Sequence, residues 1–253
     1  MKLELESKTA LVTGASKGIG RAITQILAEE GCRLILVARG EEALIDTADM
    51  IERQGLARPL VVACDLTQRD APLRIRDAIV AQGSPLPDIL VNNAGGSRPF
   101  EGLGTLAQWE EAMYLNFHAV RELTHVLLDG MKARQFGRIV NITGGDEPVA
   151  INGAVPPNGA VHIWSKALSR AVAPFGITVN SIPPGRIHSE QVDHKLLPTP
   201  EAQQAWVEQN CPAGYIGEPG DLAVLVGFLC SPKARYITGQ VIHVDGGARR
   251  FSH

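Results

Sequence analysis

Short, uniformly apolar runs rich in valine, isoleucine and leucine alternate along this chain with longer stretches of helical periodicity. A strand that is apolar at every position is buried on both faces, which is typical of a parallel sheet covered by helices on both sides. No linker or repeat divides the 253 residues. The alternation therefore predicts one α/β domain over residues 1–253, a doubly wound parallel sheet of about seven strands. The predicted strands are 9–13, 33–38, 60–64, 88–92, 138–142, 176–180 and 240–244, and the predicted helices are 18–30, 41–54, 71–82, 106–134, 161–172, 201–209 and 221–229.

Charge and composition exclude several classes of protein. The formal net charge is −3 and no run of basic residues occurs, so we expect no nucleic-acid partner. No stretch approaches the roughly 18 apolar residues of a transmembrane helix, and the amino-terminal residues alternate apolar with charged side chains, unlike a signal peptide. The four cysteines and seven histidines show no metal-binding spacing. These features predict a cytoplasmic protein with no membrane partner and no metal site.

A glycine-rich turn follows the first predicted strand. Gly14, Gly18 and Gly20 allow the backbone to turn tightly, to approach a ligand closely and to pack the next helix against the strand. The amide groups at the start of that helix carry a partial positive charge and can donate to phosphate oxygens. Glycines are common in turns, but their position directly between a strand and a helix predicts a site for the pyrophosphate of a dinucleotide.

Charged residues near the second strand bear on the choice of dinucleotide. A carboxylate about 20 residues after the glycine-rich turn favours NAD, whereas an arginine there accommodates the 2′-phosphate of NADP. The second predicted strand is followed by Arg39, no acidic residue occurs before Glu41, and Lys17 adds a cation within the turn. Two cations without an acid at this corner predict NADP(H) as the preferred cofactor, with NAD(H) as the alternative.

Further motifs follow in a fixed order: Asp65-Leu66 after the third strand, Asn92-Asn93-Ala94-Gly95 after the fourth, Asn116 in the long helix, and Pro184-Gly185 before Ile187 and Ser189. Together with the glycine-rich turn, they resemble the short-chain dehydrogenase/reductase family from about Lys8 to Gly247. The resemblance implies a Rossmann-like fold and hydride transfer between a nicotinamide cofactor and a carbonyl/alcohol pair. The cofactor-contacting positions that it implies are Gly14, Ser16, Lys17, Gly18, Ile19, Gly20, Arg39, Asp65, Leu66, Asn93, Ala94, Gly95, Lys166, Pro184, Gly185, Ile187 and Ser189.

The catalytic residues depart from the family pattern. The family's reductases carry Tyr-x-x-x-Lys on the helix after the fifth strand and a serine at the end of that strand. Here the lysine at the matching place is Lys166, but His162 stands four residues before it and Gly144 takes the place of the serine. Histidine titrates near pH 6.5, so His162 is the candidate proton donor. The resemblance thus implies a catalytic set of Asn116, His162 and Lys166.

Three functions are compatible with this mixture of retained and replaced residues. The first is an NADP(H)-dependent oxidoreductase with an atypical active site that contains His162 and Gly144. The second is a catalytically impaired pseudoenzyme that binds the cofactor and acts as a sensor or as a partner subunit. The third is a different reaction, such as proton transfer or elimination, with Asp146 or Glu147 as the base.

Segments around the site bear on assembly and substrate. The loop over 145–159 is about five residues longer than in the family, and the helix after Lys166 reaches Pro174 about two turns early. Since that helix contributes to a dimer face in relatives, we expect a homo-oligomer, a dimer or tetramer, with the usual tetramer less secure. The segment 187–210 is predicted to cover the pocket, and its composition specifies no particular small-molecule substrate.

Overall fold

The computed structural model describes residues 2–145, 147 and 150–250. Its centre is a six-stranded parallel sheet with the order β3-β2-β1-β4-β5-β6. This order reverses between β1 and β4, which is the topological switch point of a doubly wound sheet. The strands are β1 Thr9–Thr13, β2 Arg33–Ala38, β3 Leu60–Ala63, β4 Ile89–Asn92, β5 Gly137–Ile142 and β6 Ile177–Ile182.

Helices cover both faces of the sheet, as the apolar strands predict. Successive residues of β1 point to opposite sides, so Val12 packs in a cluster with α1, α2 and α8, while Leu11 packs in a second cluster with α3, α5 and α6. Both clusters are fully buried at their centres, which confirms the single-domain α/β fold. The helices are α1 Gly18–Glu29, α2 Glu41–Arg53, α3 Ala71–Ala81, α4 Leu106–Met113, α5 Ala119–Ala133, α6 Val155–Val172, α7 Pro200–Asn210 and α8 Pro219–Cys230.

The described part of the chain contains six strands rather than the predicted seven. The segment expected as the last strand, 240–244, forms isolated parallel bridges rather than a continuous ladder: Val241 pairs with Ser181 of β6, and Val244 pairs with Pro184 beyond the end of β6. Pro183 and Pro184 have no N–H group, so β6 cannot extend its ladder of hydrogen bonds past Ile182. The segment still lies along the sheet edge and brings the carboxy-terminal residues toward the ends of the strands.

The long helix predicted over 106–134 is divided into three parts. Thr105 caps α4 through a reciprocal pair of hydrogen bonds with Gln108. Between α4 and α5, Tyr114–His118 form one π-helical segment. Such a segment inserts an extra residue into the helix and is frequently found at functional sites.

α6 begins earlier than predicted. It starts at Val155 rather than at residue 161, and its 18 residues make it the longest helix in the described ranges. Pro156 and Pro157 account for the error, because proline is tolerated in the first turn of a helix, where backbone N–H groups have no partner within the helix. The end near Ala173 is as predicted, but the loop before α6 ends ahead of Val155 and does not reach residue 159 as expected.

None of the helices in the described ranges combines the length and apolar character that a membrane crossing requires.

Candidate active site

A cavity of about 990 Å³ lies at the carboxyl ends of β4, β5 and β6. Ligands of open α/β sheets bind at this edge, next to the switch point. Val192, Leu196 and Trp206 of the predicted covering segment lie along its wall. Eight of the residues predicted to contact the cofactor also line this cavity: Ile19, Asn93, Ala94, Gly95, Pro184, Gly185, Ile187 and Ser189.

The glycine-rich turn packs tightly against the end of β4. Gly14 has a φ of +66°, and a Cβ on Gly20 would come within 2.5 Å of Asn93 Nδ2 and 2.8 Å of the Gly14 carbonyl carbon. Asn93 Nδ2 in turn donates to the carbonyl oxygens of Thr13 and Gly14 at 3.0 and 3.2 Å. By contrast, a Cβ on Gly18 would meet only Ser189 Cβ, at 3.9 Å. Backbone therefore lies open at the first residue of α1, which fits a dinucleotide pyrophosphate.

Thr13 is a site residue that the sequence interpretation missed. Its hydroxyl accepts hydrogen bonds from the backbone N–H groups of Asn93 and Ala94, both at 2.9 Å, and donates to the Val91 carbonyl at 3.4 Å. The side chain therefore joins the ends of β1 and β4 and fixes the motif after β4 beside the glycine-rich turn. The signal was present, since a hydroxyl residue directly precedes Gly14.

The predicted adenosine end of the cofactor site lies at the ends of β2 and β3. Arg39 is exposed directly after β2, and Asp65 Oδ1 accepts a hydrogen bond from Thr67 N at 3.0 Å within the turn after β3. Leu66 is buried beneath that turn. Ser16 contributes its carbonyl oxygen, which accepts from the hydroxyl of Thr47 on α2 at 3.4 Å.

Lys17 is engaged elsewhere than predicted. Its ammonium forms an ion pair with Glu190, and the ammonium lowers the pKa of that carboxyl. Both side chains are about two-thirds exposed, so solvent screens the pair and its stabilising effect is small. The ion pair connects the start of α1 to the predicted covering segment 187–210. Of the two cations predicted to favour NADP(H), Arg39 is therefore the one that lies at the end of β2.

Asn116 lies within the π-helical segment and is only 7% exposed. Both polar atoms of its carboxamide form hydrogen bonds: Nδ2 donates to the Ala112 carbonyl at 2.9 Å, and Oδ1 accepts from Gly96 N at 3.2 Å. The side chain therefore holds the loop after β4 against the helix and borders the cavity.

His162 reaches the cavity edge through Thr143. The Thr143 hydroxyl lies 2.9 Å from His162 Nε2, and Thr143 itself lines the cavity. If the alternation of side chains along β5 continued past its last residue, Thr143 would point away from the site. β5 ends at Ile142, however, so strand alternation no longer determines the direction of the next side chain.

The structure does not bring Lys166 to the cavity. Its side chain is exposed and its ammonium donates to the Gly239 carbonyl at 3.2 Å. The earlier start of α6 explains this placement, because its first turns border the cavity and Lys166 lies roughly 12 Å further along the helix than Asn158. The α6 residues and the residue preceding them that line the cavity are Ala154, Val155, Asn158 and Val161.

Two loops form the wall opposite the glycine-rich turn. Pro99 and Asn152 form an antiparallel bridge, Gly153 N donates to the Arg98 carbonyl at 2.8 Å, and Asn152 Nδ2 donates to Ser97 Oγ at 2.7 Å. These contacts fasten the loop after β4 to the residues that precede α6, so the wall is built from two strand ends at once.

Asp146 and Glu147 are the two acidic residues considered above as a catalytic base. Glu147 lines the cavity, but its carboxylate pairs with Arg249 at 3.4 Å and accepts from Arg250 N at 3.2 Å. Asp146 lies outside the described residues. Within the described ranges no group of three or more histidine, cysteine, aspartate or glutamate side chains is arranged to hold a metal ion.

The whole chain is similar to several known proteins. Residues 14–249 match the family model described as enoyl-(acyl carrier protein) reductase. The 3-oxoacyl-(acyl-carrier-protein) reductase of Vibrio cholerae is 36% identical over 251 residues, covering 97% of this chain and 98% of that protein. The L-sorbose reductase of Gluconobacter frateurii, solved with NADPH and L-sorbose, gives a TM-score of 0.93 at 28% identity, covering 99% and 100% of the two chains. A 7α-hydroxysteroid dehydrogenase solved with NADH and 7-oxo glycochenodeoxycholic acid gives 0.88 at 30% identity, covering 100% and 98%.

Proposed function

Because the chain belongs to the short-chain dehydrogenase/reductase family, we propose that it is an NADP(H)-dependent oxidoreductase that interconverts a small carbonyl compound and its alcohol. The observation that carries this proposal is one cavity that joins the glycine-rich turn, the Pro184-Gly185 segment and the Thr143 hydroxyl at the same sheet edge. A cofactor cradle beside a hydroxyl backed by a histidine is what a carbonyl reduction requires.

The residues present fit a nicotinamide dinucleotide. The open backbone at Gly18 suits a pyrophosphate, and Ser189 at the end of the Pro184–Ser189 segment lies beside it, with its Cβ 3.9 Å from a Cβ built on Gly18. When bound, the cofactor supplies the hydride. Arg39, exposed directly after β2, supports the preference for NADP(H), because an arginine there accommodates the 2′-phosphate. The related structures contain NADPH in one case and NADH in another.

The proton route in this proposal runs through Thr143 and His162. The Thr143 hydroxyl gives its proton to the substrate oxygen, and His162, starting as the imidazolium, returns a proton from Nε2 to Thr143 across 2.9 Å and is left as the neutral imidazole. Asn116 positions the loop after β4 through its two hydrogen bonds. This arrangement does not use Lys166.

A panel of three carbonyl compounds tests the proposal: a 3-oxoacyl thioester, L-sorbose and a 7-oxo bile acid, each with NADPH and with NADH. Oxidation of NADPH is followed by absorbance. We expect turnover with at least one member, a loss of about 10²–10³ in kcat for Thr143→Val and a loss of about 10²–10⁴ for His162→Ala. Lys166→Ala is the matched control on α6 and should be unchanged. Turnover that survives Thr143→Val would contradict the proton route.

The pseudoenzyme is the second candidate. It is supported by the cavity lining, which contains no tyrosine among the described residues. A protein of this kind would bind NADPH and show no turnover with any member of the panel, and a panel member that wild type consumes rapidly would exclude it.

We also propose that the protein forms a homo-oligomer, a dimer or a tetramer, and that it acts in the cytoplasm. Light scattering during size-exclusion chromatography tests the assembly, and a mass near the 27.1 kDa of one chain would contradict it.

A further inference from the structure

Asn158 is a buried polar side chain whose bonding capacity the fold leaves unused. The residue is only 6% exposed and lines the cavity from the first turn of α6. Within residues 2–145, 147 and 150–250, its carboxamide has no hydrogen-bond partner. Its amide nitrogen and oxygen are not among the fully buried, unpartnered polar atoms of the described residues, so the carboxamide stays in contact with the space of the cavity. The carboxamide is therefore available to a ligand.

The other asparagine carboxamides that line the cavity already form hydrogen bonds within the protein. Asn116 bonds to Ala112 and Gly96, as described above. Asn141 accepts from Asn92 Nδ2 at 2.8 Å and donates to Ser165 Oγ at 2.9 Å. Asn158 differs from them in having both its amide hydrogens and its carbonyl oxygen to offer.

Gly144 makes room for the Asn158 side chain. A Cβ on Gly144 would lie 2.6 Å from Asn158 Nδ2, closer than real Cβ atoms approach. Any other residue at position 144 would displace the carboxamide. Gly144 stands at the place where the family's pattern has a serine, so the amide of Asn158 reaches the space in which that hydroxyl would lie.

The position on the helix agrees with this placement. Ala154 and Asn158 are four residues apart at the end of α6 that borders the cavity. That spacing is the one between tyrosine and lysine in the family's pattern, and it lies eight residues before His162 and Lys166. A neutral carboxamide neither gives nor takes a proton at neutral pH, so it binds an oxygen without titrating.

We propose that Asn158 is a ligand-binding residue whose carboxamide hydrogen-bonds an uncharged hydroxyl or carbonyl oxygen at the end of β5. Two oxygens have this chemistry, a hydroxyl of the nicotinamide ribose and the carbonyl of the substrate. The nature of both ligands rests on the proposed function, but the unpaired amide and its contact with Gly144 do not.

Variants of Asn158 distinguish the two sources. Asn158→Ala removes one neutral hydrogen bond, which corresponds to a loss of about three- to tenfold in affinity. If the ribose is the partner, the Kd for NADPH rises by this factor in a fluorescence titration. If the substrate is the partner, the Kd is unchanged and KM for the best carbonyl of the panel rises instead. Lys166→Ala, on the same helix with an exposed side chain, should alter neither quantity.

A coupling experiment tests the contact with Gly144 directly. Gly144→Ala should reproduce the effect of Asn158→Ala, because the new Cβ displaces the amide. The double variant should then lose no more than either single variant, since the interaction can be removed only once. Additive losses would contradict the steric argument.

Stability separates a binding role from a structural one. Asn158→Leu keeps a similar volume and removes an amide that makes no hydrogen bond within the described part of the fold, so the Tm of the protein without ligand should stay within about 2 °C of wild type. A lower Tm with unchanged Kd and KM would overturn the proposal. A wild type that binds neither coenzyme and consumes no carbonyl refutes the proposed function and this ligand assignment together, whereas unchanged binding in the variants of an active enzyme refutes only the role of Asn158.

Discussion

Replacing Gly20 with alanine changes the contact on which the cofactor turn depends. A Cβ there would lie 2.5 Å from Asn93 Nδ2 and 2.8 Å from the Gly14 carbonyl carbon, against ordinary contacts of 3.4–4 Å. The start of α1 must therefore move by about 1 Å, an overpacking that costs about 1–3 kcal/mol. The same movement breaks the two hydrogen bonds that Asn93 Nδ2 makes to Thr13 and Gly14, each worth about 1 kcal/mol.

The free energy of unfolding should consequently fall by about 3–5 kcal/mol, measured by urea denaturation with an unchanged m-value. The affinity for NADPH should fall about tenfold or more, because the amides that would donate to the phosphates move with α1. Gly159→Ala is the matched control. This glycine lies inside α6 with nothing within 4 Å of a built Cβ, so alanine should stabilise the protein by about 0.5–1 kcal/mol. A Gly20→Ala variant as stable as wild type, with its NADPH affinity intact, would refute the reasoning.

Three further predictions concern charged and titrating groups. Arg39→Ala should weaken NADPH binding about tenfold and leave NADH binding unchanged, because only NADPH carries the 2′-phosphate; an equal loss for both coenzymes would contradict this. Burial and the neighbouring Glu122 raise the pKa of Tyr114 to about 12, so the stability it contributes is complete below pH 10 and lost as the pH rises toward 12. The free energy of unfolding should therefore fall more between pH 9 and pH 11.5 for wild type than for Tyr114→Phe, and an equal or smaller fall in wild type would contradict this. Burial raises the pKa of the Cys32 thiol to about 12 and also raises that of Cys230, so a thiol reagent at pH 8 should modify them only after unfolding, and their rapid reaction in the native protein would exclude this burial.

The sequence predicts the sheet and the glycine-rich turn well, because both depend on local features. A run that is apolar at every position has few alternatives to a buried parallel strand, and closely spaced glycines after a strand restrict the backbone to a tight turn. The switch point between β1 and β4 then places the predicted cofactor positions at one edge of the sheet.

The register of α6 could not be predicted in this way. Pro156 and Pro157 resemble helix breakers in the sequence, yet they lie in the first turn, where their missing N–H groups cost nothing. Because the start was misplaced, the sequence led us to expect both His162 and Lys166 at the cavity, whereas the structure brings only His162 to its edge, through Thr143. Which side chains of a helix face a cavity depends on where the helix begins and on how it packs against the rest of the protein. Both are set by the tertiary structure and not by the local sequence.

Thr143 illustrates the same limit at a strand end. Alternation describes side-chain directions within a hydrogen-bonded ladder, and Thr143 is the first residue beyond β5. Its contact with His162 depends on a helix that starts more than ten residues later in the chain. The periodicity of the sequence therefore cannot predict the contact between Thr143 and His162.

The π-helical segment Tyr114–His118 accommodates one more residue than a regular α-helix of the same rise. A single-residue deletion there would be absorbed locally, leaving the core-facing sides of α4 and α5 in place while turning Asn116 away from the loop after β4. The direction of the Asn116 carboxamide thus depends on the number of residues in this segment as well as on the residue type. Evolution could abolish or restore it with one codon, without repacking the domain.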